Sequence, residues 1–136
     1  MKKATLFLMA VICLSLAGCS KDADIAAFTA EFDSTTKDMI SKLDASPNAS
    51  GVADAQKAFD THKPALTAKW DSIKDAMGFQ VSADTKKKLE DGIKKNMTDL
   101  GAVIAKHSIE LSGDDATQKS AMKLLDNFDF MTETKK

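Results

Sequence analysis

His62 and His107 are the chain's two histidines, and both fall in rows of apolar residues. His62 fills the rung between Phe59 and Leu66, and His107 the one between Ile104 and Leu111. Residues three or four apart share one face of a helix. Two imidazoles on two such faces could therefore point into one helical interior, where they would suit a metal ion or the axial positions of a haem, with Met39 or Met97 as alternative axial ligands. A zinc site needs further ligands. Asp60 and Glu110 are near in sequence but phase onto other faces, and the chain has no His-Glu-x-x-His or Cys-x-x-Cys motif. The plainer reading makes each histidine a core-edge residue with a local hydrogen bond, so no cofactor and no dedicated metal site is expected. His62 and His107 stand as the candidate cofactor-binding residues should haem or metal be carried. There is also no Gly-x-Ser-x-Gly elbow and no glycine-rich phosphate loop, and the acidic residues are scattered over polar faces. The expectation is a non-enzymatic protein.

The amino terminus carries the sharpest chemical signal. Lys2 and Lys3 precede an apolar run, Ala4 to Leu16, broken only by Thr5 and Ser15. It is too short to span a membrane as a stable helix and has the layout of a signal peptide. Leu16, Ala17, Gly18 and Cys19 then resemble the lipobox of bacterial lipoproteins. The resemblance implies that residues 1–18 are removed, that the Cys19 sulfur receives a diacylglycerol, and that its freed amino group is often acylated too. Two or three acyl chains hold a protein where one would not, at about 0.8 kcal/mol per buried CH₂. Ser20, rather than Asp, follows the cysteine, which implies the outer membrane, with the domain facing the periplasm. Cys13 leaves with the signal peptide and Cys19 is consumed by lipid. The mature domain then has no thiol for a disulfide, a metal or catalysis.

Cleavage would leave 118 residues, the size of one domain. The remaining 17 lysines against 20 acidic residues give a net charge of −3, which argues against a nucleic-acid partner. Every basic residue is lysine, so no bidentate guanidinium fork exists for phosphate or carboxylate.

Helical periodicity runs through nearly all of the mature chain. Ile25, Phe28, Phe32, Met39 and Leu43, with Thr36 in the gap, predict a helix over 23–45 after a short lipidated tether at 19–22. Residues 46–51 read as a turn. A second helix over 52–77 carries Val52, Ala55, Phe59, Leu66, Trp70, Ile73 and Met77, with Pro64 expected to kink or restart it. Ser82 caps a third helix running to about Leu111, with the row Leu89, Ile93, Met97, Leu100, Ile104, His107 and Leu111; Gly92 and Gly101 within it suit close helix contact. Asp114 caps a fourth containing Ala121, Leu124, Phe128 and Met131, and 132–136 form a polar tail. The fold class is all-α: an up-and-down bundle of about four amphipathic helices over 23–131.

Lys86, Lys87, Lys88, Lys94 and Lys95 have acidic residues at i, i±4, so they read as a solvated face rather than a lipid-binding patch. Phe79 lies outside the apolar rows and either caps one bundle end or serves as a partner contact. The functional expectation is a lipid-anchored envelope lipoprotein acting as a binding or assembly module for another envelope protein. Secretion pilotins share its size, anchor and helix content. The alternative is a carrier of a small molecule, haem or metal through His62 and His107.

Overall fold

The computed structural model describes residues 21–77 and 80–131; Cys19, Phe79 and the tail 132–136 lie outside the described residues. Five helices follow in order: α1 (Asp22–Ala45), α2 (Ala49–Ile73), α3 (Ala83–Lys106), the single turn α4 (Ser108–Leu111) and α5 (Asp115–Asp126). Short 3₁₀ turns extend α2 through Ala76 and follow α5 at Asp129–Met131. No strand occurs among the described residues, and none of their helices is long and apolar enough to cross a membrane. The all-α bundle expected from periodicity is the observed fold.

Capping sets most of the boundaries. The Asn48 side chain accepts from the Ser50 and Gly51 amides, so α2 begins at Ala49 rather than at residue 52. Ser82 accepts from the Thr85 amide at the start of α3, and Asp114 from the Thr117 amide at 2.8 Å at the start of α5. Pro64 neither breaks nor restarts α2, which runs unbroken through it with the proline exposed. The third expected helix does end early. His107 leaves helical geometry (φ −100°, ψ 20°), and the chain restarts as α4.

Successive long helices alternate in direction, and α1 packs mainly on α2 and α3. Lys21 donates its amide to the Gln80 carbonyl, Gly92 abuts Thr29, and Asp44 meets Lys106. These pairs advance together along both helices, so α1 and α3 run parallel. α2 and α3 each pack on α1 and α5 but hardly on each other, so they stand across the bundle instead of side by side. α5 closes the structure against α2 and α3.

The core forms on α1. Phe28, Phe32, Met39 and Leu43 are completely buried, together with Phe59 and Leu66 of α2 and Leu100 of α3. Phe128, just past α5, meets Phe32 and Phe59 edge-on, with ring centroids 4.9 and 5.7 Å away, a favoured aromatic geometry. Thr35 and Thr36 are buried without penalty because their hydroxyls donate to the Glu31 and Phe32 carbonyls. On α3 one rung of the apolar row shifts by one residue. Asn96 is buried and donates to the Gly92 carbonyl, while Met97, expected in the core, is 38% exposed.

Candidate functional site

Each histidine is held by a carboxylate of α1, and the two carboxylates are far apart. His62 and Lys69 are seven residues apart, two turns of α2, and so share a face. That face meets Glu31. His62 Nδ1 donates to Glu31 Oε1 at 2.9 Å and Lys69 Nζ to Oε2 at 3.0 Å. An ionised carboxylate only accepts, which fixes the proton on Nδ1. The His62 bond, then the Lys69 bond, holds the Glu31 carboxyl below its ordinary range.

In the last turn of α1, His107 Nε2 donates to Asp44 Oδ1 at 2.7 Å, and Lys106 Nζ donates to the same oxygen at 2.6 Å. Asp44 is likewise held below the usual aspartate range, first by His107 and then by Lys106. This contact ties α1 to the end of α3, at the residue where α3 breaks.

Glu31 and Asp44 are separated by 13 residues of α1, about 20 Å at 1.5 Å per residue. His62 and His107 therefore do not converge on one interior point, and paired axial ligation of a single haem or metal by them has no geometric basis. Of the alternative axial ligands, Met39 is buried in the core and Met97 is partly exposed. Among the described residues no three His, Cys, Asp or Glu side chains could hold a metal ion together. His107 Nδ1 is 3.8 Å from Glu110, too far for a hydrogen bond. What the two clusters do is join helices: Glu31 fastens α2 to α1, and Asp44 fastens α3 to α1. Sequence reasoning found both rings but missed both carboxylates. The available signal was the i, i+7 pair of His62 and Lys69, two cationic or proton-donating groups on one helical face.

Open grooves lie between the helices among the described residues. One of about 540 Å³ lies between the start of α2 and α5, lined by Val52, Gln56, Thr117 and Ser120. A second, of about 470 Å³, lies between the first halves of α1 and α3, over Ala26, Ala30 and Gly92. The third, of about 220 Å³, is the most apolar in residue type and lies between α3 and α5. None is lined by a histidine. Phe79, the expected partner contact, and Cys19, the expected lipidation site, lie outside the described residues. The chain matches no family model, no curated protein and no solved structure.

Proposed function

We propose that this protein is a lipid-anchored envelope lipoprotein that works as a non-enzymatic binding or assembly module. The anchor is diacylglycerol on Cys19, the most suitable site is the outer membrane facing the periplasm, and the partner is another envelope protein. The observation that carries this reading is the order Lys2-Lys3, apolar run, Leu16-Ala17-Gly18-Cys19. The short distance from that cysteine to the folded body supports it. Lys21 is already bonded through its amide to Gln80 and through its ammonium to Asp24 at 2.9 Å, and α1 starts at Asp22. A lipid on Cys19 would hold the bundle against the bilayer with almost no free linker. The two histidine clusters, being bonded helix ties, supply no nucleophile and favour a binding role over catalysis.

The test is Cys19→Ala in cells given an alkyne-labelled fatty acid. The substitution is expected to abolish acyl labelling of the chain and release it from the membrane fraction. Labelling that persists at the wild-type level refutes the anchor assignment.

A further inference from the structure

The groove between the first halves of α1 and α3 is a straight channel. Its α1 wall is one helical face, Asp22, Ala26, Thr29 and Asp33, and its α3 wall another, Lys88, Gly92 and Lys95, each at steps of three and four. Because α1 and α3 run parallel, the walls stay together from Asp22 to Asp33, about 16 Å at 1.5 Å per residue.

The channel is lined by hydrocarbon. Ile25 and Leu89 lie buried beneath it, and a Cβ on Gly92 would stand 3.2 Å from the Thr29 methyl, so the helices touch there with no bulky side chain above the contact. The charged residues of the walls pair along their own helices, Asp33 with Lys37, Lys88 with Asp84 and Lys95 with Asp99. What faces the channel is alanine methyls and the aliphatic stems of lysines. Its volume of about 470 Å³ is that of a small-ligand site, in a long form that suits an unbranched alkyl chain better than a ring system.

Position identifies the alkyl chain. The channel opens at Asp22, and Lys21 is fixed beside that opening through the Gln80 carbonyl. Cys19 is two residues from Lys21, within about 7 Å. The groove at Ala49 and Asp114 and the one between Gly101 and Leu111 open toward the far end of the bundle, where α1 meets Lys106.

We propose that the α1–α3 groove is an intramolecular site for one acyl chain of the lipid on Cys19, occupied while the lipoprotein is out of a bilayer. This rests on the anchor reading given above. Attachment keeps the effective concentration of the chain high, so a shallow groove is enough to hold it. In a membrane, lipid surrounds the same chain on every side and withdraws it from the groove.

The full lipidated protein tests this. Cells fed a fatty acid bearing an alkyne and a mid-chain diazirine would load the probe onto Cys19; the labelled protein is purified, freed of detergent, irradiated as a dilute monomer and mapped by mass spectrometry. Crosslinks are expected on α3 between Thr85 and Asn96, far from Cys19 in sequence. Ala30→Trp, at an exposed position in the channel, should lower that α3 crosslink about tenfold, the loss of an ordinary specific contact. Ala53→Trp, exposed in the groove beside α5, should leave it unchanged. Returning the wild-type protein to phosphatidylethanolamine vesicles should move the crosslinks to phospholipid. Crosslinks spread evenly over the helices, or an α3 crosslink indifferent to Ala30→Trp, would overturn the proposal. A chain that takes up no label refutes the anchor and this site with it, whereas a labelled chain without the α3 crosslink refutes the site alone.

Discussion

Gly51 occupies the first turn of α2, where helix propensity alone makes alanine the better residue by up to roughly 1 kcal/mol. The packing reverses that sign. A Cβ at Gly51 would fall 1.7 Å from the Ser46 carbonyl oxygen and 3.1 Å from that of Lys42. Both are backbone atoms at the end of α1, and the Ser46 amide is itself bonded to the Lys42 carbonyl at 3.2 Å, so neither can rotate aside. Relief requires the α1–α2 turn to open, at the overpacking cost of about 1–3 kcal/mol or more. Gly51→Ala should therefore lose about 2 kcal/mol. Gly101→Ala meets nothing within 4 Å and should gain close to the full propensity difference, about 1 kcal/mol. Gly92→Ala, 3.2 Å from the Thr29 methyl, should fall between them. Urea unfolding followed by far-ultraviolet circular dichroism would order the three. Thermal melts should separate Gly51→Ala from Gly101→Ala by roughly 10 °C for a chain of this size. A Gly51→Ala protein as stable as the parent would refute the close approach of α2 to the end of α1.

Two further substitutions test the contacts made by α1. Because the folded state depresses the Glu31 pKa, its ion cluster stabilises the bundle above the ordinary glutamate range and is lost as pH falls through the depressed value. Glu31→Gln should cost about 1 kcal/mol at neutral pH and nothing at a pH low enough to protonate the parent; an equal loss at both pH values would mean that charge is not what holds α2 there. Phe128→Ala removes a ring that is 2% exposed and touches Phe32 and Phe59, and should lower the unfolding free energy by about 3–5 kcal/mol, whereas a loss under about 1 kcal/mol would show that Phe128 does not fasten the chain after α5 to the core.

The helices were legible where local chemistry decides them. Asn48, Ser82 and Asp114 each supply a side-chain oxygen to free amides at a helix start, and such caps are visible in sequence. The break at His107 was not, because the three-four row from Leu89 to Leu111 continues through it. The partner that holds the ring, Asp44, lies 63 residues away. The exchange of Met97 for Asn96 in the core has a related cause. An apolar pattern ranks methionine as the buried residue, yet Asn96 satisfies its amide on the Gly92 carbonyl of its own helix and so meets little of the usual penalty for polar burial. The histidines show the same limit at a candidate site. Their apolar rows suggested core-edge positions with local hydrogen bonds, but the rings bond to α1, 31 and 63 residues away, and whether two such rows share one interior point depends on which helices are neighbours. The parallel packing of α1 and α3 sent His107 to the last turn of α1, 13 residues beyond the carboxylate that holds His62.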